Sequence, residues 1–574
     1  MAKSMMLSMT RGMCILTVLA MYAEHASANR QDWEREDWTW LIVCCGIVAF
    51  IAAYGIGAND VANAFATSVG ARAITVKQAV LFASVFEFSG AVLMGSSVSK
   101  TIRKGISDVT CFEDNPGLLM YGMTCVIIAV GIWLMFASYN EMPVSTTHST
   151  VGGIIGMTLM ARGKRCVIWN FTRNDYGNGT TNMAFDNFPW LDGVAEIVVS
   201  WIISPIASGI CAAILYAITK YGVLIWKERS YFLAKILFPI IVAFTAGVNT
   251  VFWIVKGTKG RPKRFRTSRY VREAEDGNVA PAVTIGAYVA LVAGFLAACL
   301  LFPISRWIDA EQRVRAKIPS EAKPVDDSDA KEGEDVEGAP IRQSQVAVVG
   351  GAIGKYIYDE LTVDPHHVLE REGTVADIHA NYREFDPKTE AFFKYVQVFT
   401  AIVDSFSHGA NDVANAMGPF AAAYVSYRRG TVKKETDLKD NMTWILAIGG
   451  AGIVVGLATY GYKIMTAMGV KLAAVTPSRG YCIELGAAFV IIYGTAQGWP
   501  LSTTHCQVGA TVAVGLFEGT AGVNKRLLVK TCFGWIITIV VVGLGAALLV
   551  GPSPEPLKDL YCEDWATVGD RGED

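Results

Sequence analysis

The string Gly57-Ala-Asn-Asp-Val-Ala-Asn-Ala64 recurs unchanged as Gly409-Ala-Asn-Asp-Val-Ala-Asn-Ala416, and each copy lies inside a strongly apolar stretch. An ionised aspartate near the middle of a bilayer costs at least about 2.5 kcal/mol, so it is rare there unless it faces a polar cavity or binds a cation. Asp60 and Asp412 therefore need a function. Small residues flank the polar ones, which permits close backbone approach or a broken helix around an ion. On a continuous helix, Asn59 and Asn63, like Asn411 and Asn415, would share one face. An internal repeat of this kind points to a transporter built from two related halves.

Composition agrees with a membrane chain. Apolar residues make up 52% and charged residues 18%, with a mean hydropathy of +0.35. A soluble enzyme of this length would be more evenly mixed. The formal charge of -2 selects no partner, and nothing resembles a nucleic-acid-binding module.

Long apolar runs predict twelve spans, near 39–64, 78–98, 117–138, 143–160, 191–219, 231–255, 281–304, 392–425, 441–460, 480–498, 500–517 and 527–551. The short runs 143–160 and 500–517 read as discontinuous or re-entrant helices. The expected fold is an all-α polytopic membrane protein, with one membrane repeat over 39–304 and a second over 392–551. Between them, 305–391 reads as a hydrophilic cytoplasmic linker: residues 306–390 hold 11 Lys/Arg against 19 Asp/Glu, and Ser320 to Pro340 has the composition of a disordered segment. Residues 552–574 form a polar tail.

Residues 1–28 read as a cleavable signal peptide, with Lys3 and Arg11 before an apolar core and Ala26-Ser27-Ala28 as the cleavage site. The mature N-terminus then starts outside. The sequons at Asn170, Asn178 and Asn441 fall on that same side. The positive-inside rule points the other way, because eight Lys/Arg lie between Lys256 and Arg272 in an outer loop. The outside N-terminus is retained here.

A second motif recurs: Pro143-Val-Ser-Thr-Thr-His148 is echoed by Pro500-Leu-Ser-Thr-Thr-His505. Ser145, Thr146, Thr147 and Ser502, Thr503, Thr504 supply three adjacent hydroxyls per copy. A proline ahead of such a run suits the first turn of a helix, whose free N–H groups and positive dipole end attract anions. Two such ends meeting at the midplane would cradle an oxyanion. The plainer alternative is that these residues only cap their own helices. The first motif falls on spans one and eight and the second on spans four and eleven. Each offset is odd, so the two halves are expected to be inverted repeats.

Both motif pairs, the split halves and the intramembrane acids resemble the inorganic phosphate transporter (PiT) family, particularly its eukaryotic sodium-coupled phosphate symporters. The similarity covers roughly 40–305 and 392–551. It implies that phosphate is held between the repeats by Asn59, Ser145, Thr146, Thr147, Asn411, Ser502, Thr503 and Thr504. Cation binding and coupling would fall to Asp60, Asp412, Glu87, Glu484, Asn63 and Asn415, with Asp60 and Asp412 on sodium. Glu87 and Glu484 have different flanks in the two halves, and either could instead be satisfied by a neighbouring arginine or by backbone. No cofactor is expected beyond the co-transported sodium. The expected partners are phosphate, sodium and membrane lipid, with a homodimer compatible with the reading; the expected location is the plasma membrane.

Phosphate beside four acids would be repelled, and bound cations invert that field. Oxygen-rich surroundings suit sodium, although protons could replace it. His148 and His505 are either pH-sensing or structural; Arg479, at the edge of the tenth span, either steers or binds an anion or anchors at the membrane interface. Cys111, Cys166 and Cys562 would face outside, with no pairing fixed by sequence. Rival readings are a proton-coupled phosphate carrier, a sulfate or other oxyanion transporter, a channel, a sensor or receptor, and an intramembrane enzyme, for which no nucleophile motif exists.

Overall fold

A computed structural model describes residues 35–95, 105–169, 193–252, 254, 280–315, 362–370, 372–432, 443–497, 499 and 501–551. The leader, the three sequons, Lys256 to Arg272, Ser320 to Pro340, Pro500, Cys562 and the tail lie outside the described residues.

The first half opens with α1 (Arg35–Ile56), which passes through a π-helical turn at Gly57–Val61 into α2 (Ala62–Gly70). It continues with α3 (Val76–Met94), α4 (Pro116–Tyr139), α5 (Thr146–Arg162) and α6 (Gly193–Thr219). Two further helices follow, α7 (Ser230–Phe252) and α8 (Ala280–Arg315). After α9 (Gly373–Ala380), the second half comprises α10 (Pro387–Arg429), α11 (Thr443–Tyr460), α12 (Tyr462–Thr466), α13 (Pro477–Gln497), α14 (Thr503–Gly515) and α15 (Lys525–Val550).

Local chemistry sets these boundaries. Thr75 and Gln78 form a capping box at the start of α3. Asn115 caps α4 and Asp386 caps α10, each ahead of a proline in the first turn. Gly430, at φ 61°, ends α10 in the left-handed conformation. Each of the twelve expected spans coincides with a helix. Among the described residues, eight helices are long and apolar enough to cross a membrane; α5, α10, α13 and α14 coincide with the other four expected spans.

The halves interlock. Each half's motif-bearing helix packs on the second helix of the other half: α10 on α3, and α1 on α11. The two crossings match atom for atom. A Cβ on Gly409 would lie 2.1 Å from the Glu87 carbonyl oxygen, and one on Gly57 would lie 1.9 Å from that of Ile453. Only glycine permits backbones so close. The short helices α5 and α14 likewise pack on the opposite half's α15 and α6. Single β-bridges, Ser107 to Val167 and Ala473 to Val523, tie corresponding loops in each half.

The outer surface is apolar. Ile202, Ile206, Ile210, Ile214 and Ile218 form an exposed ridge at four-residue spacing along α6. That stripe faces lipid in a membrane-embedded protein.

The expected linker has folded ends. α8 runs to Arg315, beyond residue 304. Near the other end, Val368 and Val375 pack on Val470, and His366 Nε2 lies 2.9 Å from the Gly70 carbonyl. Lys471 joins Glu372 of this segment, at 2.8 Å, to Glu141 of the loop before α5, at 2.9 Å.

Candidate functional site

The two short helices begin at the centre of the molecule, next to the repeated aspartates. Ser145 and Ser502 cap α5 and α14, their side chains accepting from the His148 and His505 N–H groups. The serines are thus occupied as caps, as the plainer alternative held for this motif. The threonines after them turn to the acids. Thr146 Oγ1 donates to Asp60 Oδ2 at 2.7 Å, and Thr503 Oγ1 to Asp412 Oδ2 at 2.7 Å. Thr504 crosses between halves to Asp60 Oδ1 at 2.5 Å, and Thr503 also reaches that oxygen at 3.2 Å.

The four asparagines divide into two roles. Asn59 holds the loop before α5: its amide donates to Ser138 Oγ and the Met142 carbonyl, and its oxygen accepts from Val144 N–H at 2.9 Å. Asn411 holds the segment before α14, donating to the Leu501 carbonyl at 3.0 Å, and its amide also reaches Asp412 Oδ1 at 3.2 Å. They brace the cradle. Asn63 and Asn415 face its centre: Asn63 donates to Asp60 and Thr504, and Asn415 to Asp412, Thr146 and Thr147. Thr147 itself donates to the Leu501 carbonyl. All these side chains are buried.

His408, immediately before the second Asn-Asp copy, had no part in the sequence reading. Its Nδ1 lies 2.8 Å from Glu87 Oε1, and its Nε2 lies 2.8 Å from Asp412 Oδ2 and 3.8 Å from Asp60 Oδ1. The Nε2 approach is a charge contact without hydrogen-bond alignment. Asp60, His408 and Asp412 could together ligate a metal ion. The carboxylate, hydroxyl and amide oxygens around them suit a hard cation. A histidine inside an apolar stretch and next to the repeat was the available signal, and it was masked because the first copy has Ile56 there.

Glu87 and Glu484 are not counterparts. Glu87 sits on α3, the second helix of its half, beside His408 and Ser405. Glu484 sits on α13, the third helix of the other half, where Thr67, Ser68, Thr400 and Gln397 all donate to it. Ile453 occupies the position matching Glu87.

The histidines after the threonines form a clasp. His148 stacks on Trp201 with centroids 3.7 Å apart and His505 on Trp535 at 3.7 Å, while the two imidazoles meet edge to face at 4.5 Å. Each Nδ1 reaches the carbonyl of the other pair's tryptophan. Arg479 is buried and bonded to Glu518, Thr476 and the Arg383 carbonyl, so it fastens the start of α13. Cys111 and Cys166 form a disulfide.

At each cradle end, helix N–H groups and hydroxyls invite an oxyanion while a carboxylate already occupies the same corner. A cation held at the carboxylates would offset an anion's charge there. Residues 56–546 match the family model described as "Phosphate transporter family". The chain is 32% identical to the phosphate-repressible phosphate permease pho-4 of Neurospora crassa, over 89% of this chain and 97% of that one. It is 30% identical to the chloroplastic inorganic phosphate transporter 2-1 of Arabidopsis thaliana, over 88% and 70%. Among solved structures, one titled "The sodium-dependent phosphate transporter" superposes with a TM-score of 0.64 at 28% identity, covering 89% of this chain and 98% of that one. The chain belongs to the phosphate transporter family.

Proposed function

We propose that this protein imports inorganic phosphate by symport with sodium, exposing one central site alternately to the two sides of the membrane. The observation that carries the reading is the cross-half hydroxyl ring. Thr146, Thr503 and Thr504 hold Asp60 and Asp412 together at the two half-helix N-termini. Phosphate takes the hydroxyls and helix N–H groups, and sodium takes the aspartate oxygens with the Asn63 and Asn415 amides. Anion and cation then bind interdependently, because each offsets the other's charge in a low-dielectric site. The histidine between the acids fits the same account: when protonated it offsets the charge of Asp412 and Glu87 beside it.

The Neurospora relative is named as a phosphate permease and the structural neighbour as sodium-dependent. Both names support the cargo, and the neighbour's supports the driving ion. The plasma membrane is proposed on the leader and the outer sequons. Labelled phosphate uptake into proteoliposomes under separately imposed sodium and proton gradients tests the proposal. Accumulation should follow the sodium gradient and saturate. Accumulation driven equally by protons alone, or competed by sulfate as well as by phosphate, would replace it with the proton-coupled or general oxyanion reading.

A further inference from the structure

One face of α10 carries buried polar side chains continuously from its first third to the site: Gln397, Thr400, Asp404, His408, Asp412 and Asn415 recur at helical spacing. Most are accounted for above. Asp404 is not. It is fully buried, about 12 Å along the helix from Asp412 at 1.5 Å per residue. Its Oδ2 accepts a short hydrogen bond from Gln507 Nε2 on α14. Two oxygens of this pair, Asp404 Oδ1 and Gln507 Oε1, are buried with no donor.

A lone buried acceptor costs the desolvation of that atom, and native proteins leave few of them. An ionised Asp404 would suffer both penalties and more. The charged or titratable groups facing it are His408 on its own helix, Glu87 from α3, Glu484 from α13 and the thiol of Cys506 on α14, so two of the four are carboxylic acids. A carboxylic acid and a primary amide, by contrast, are complementary: the amide N–H donates to one carboxyl oxygen while the acid O–H donates to the amide oxygen.

We propose that Asp404 and Gln507 form a proton-binding site, in which one proton resides on Asp404 Oδ1 and is donated to Gln507 Oε1. The proton comes from solution and returns to it, and no other bond changes. A single proton satisfies both orphaned oxygens and removes a third negative charge from beside Glu87 and Glu484. The site is separate from the aspartate pair that the transport reading uses, and its occupancy follows pH rather than phosphate.

The test is infrared spectroscopy of the full chain in lipid, comparing wild type with Asp404→Asn and Gln507→Leu. Near neutral pH the wild type should show a protonated-carboxyl carbonyl band that moves in heavy water and is lost in Asp404→Asn. In Gln507→Leu the band should shift to higher frequency as the carboxyl loses its acceptor. A wild-type spectrum without a band that Asp404→Asn removes would overturn the proposal. A sodium stoichiometry reduced by one in Asp404→Asn would assign the pair to a metal cation instead. None of these readouts requires phosphate uptake, so they stand apart from the proposed function. In uptake assays at saturating sodium, the ratio of Asp404→Asn to wild-type rate should rise with pH, since the amide keeps the neutral pairing that the acid loses. A ratio independent of pH would count against the assignment.

Discussion

Two corners of the molecule share a backbone and differ in chemistry. Where α10 crosses α3, His408 meets Glu87; where α1 crosses α11, the equivalent positions are Ile56 and Ile453. Both corners are fully buried and both use a glycine to bring the helices together. The difference extends along the helices. Gln397, Thr400, Asp404 and Ser405 of α10 correspond, by the spacing from the repeated string, to Cys45, Val48, Ala52 and Ala53 of α1. The repeats thus build a central ring from both halves, while only one half continues it as a polar stripe. The central ring is symmetric in its acids and hydroxyls, and its surroundings are polar along α10 and apolar along α1.

The comparison breaks most directly at the ring itself. Asp60→Asn and Asp412→Asn each keep size and remove a charge, and both should abolish concentrative phosphate uptake while the protein still reaches the membrane. Each acid lies within the cross-half hydroxyl ring, so the halves should fail alike. Sodium-driven uptake persisting in either variant would confine the cation site to the other half.

Next comes the corner that differs. His408→Ile copies the first half's residue into the second and leaves Glu87 buried without its ion-pair partner. Losing one member of a buried pair costs about 3–5 kcal/mol, so yield and thermal stability should drop sharply. The double variant His408→Ile with Glu87→Ile rebuilds the apolar corner completely. It should recover most of the stability and none of the transport, a non-additivity that a double-mutant cycle measures. If the double variant transports normally, the polar corner is a structural choice and the asymmetry has no bearing on coupling.

The hydroxyls provide a finer comparison. Thr146 donates to Asp60 alone, whereas Thr503 touches both acids. Thr→Val deletes a hydrogen bond to a charged group worth roughly 1.5–3 kcal/mol, which predicts a loss of phosphate affinity of about tenfold or more in either variant. Thr503→Val should be the more severe. Isothermal titration with phosphate at fixed sodium distinguishes them, and unchanged affinity in both would leave these threonines a packing role.

Much of this was legible in the chain. Intramembrane acids are costly enough that Asp60, Asp412, Glu87 and Glu484 stand out from any apolar run, and the duplicated strings locate the centre. Three things were hidden. The side chain of an asparagine can turn to a loop or to a cavity, and only the fold separates Asn59 and Asn411, which brace, from Asn63 and Asn415, which face the ring. Glu87 and Glu484 lie on the second helix of one half and the third helix of the other, which their order along the chain does not show. The first copy adopts a π-helical turn and the second continues an α-helix. One identical string thus takes two backbones, beside Ile56 and Ile453 in one case and His408 and Glu87 in the other.

The smallest expected effect concerns how each half secures the helix before its threonine motif. In the first half the disulfide Cys111–Cys166 links the loop before α4 to the loop after α5. In the second, Arg479 at the start of α13 reaches Glu518 just after α14, at 2.7 Å, with Lys220 at 3.8 Å. A covalent tie suits an oxidising compartment and an ionic one a reducing compartment, which is the division inverted repeats would place on opposite sides of the membrane. Burial pushes the Glu518 carboxyl up, but the Arg479 guanidinium and the Lys220 ammonium outweigh it and hold the group below the usual glutamate range. A group depressed in the folded state contributes stability that is complete above its ordinary pKa and is lost as pH falls through the folded value. Glu518→Gln should therefore lower the melting temperature modestly at neutral pH and leave it unchanged in acid, where the wild-type carboxyl is also neutral. Reductant should lower the melting temperature of wild type and variant by the same amount, because the two fastenings sit in different halves. A variant whose deficit persists undiminished at acid pH would show that Glu518 acts through packing rather than charge.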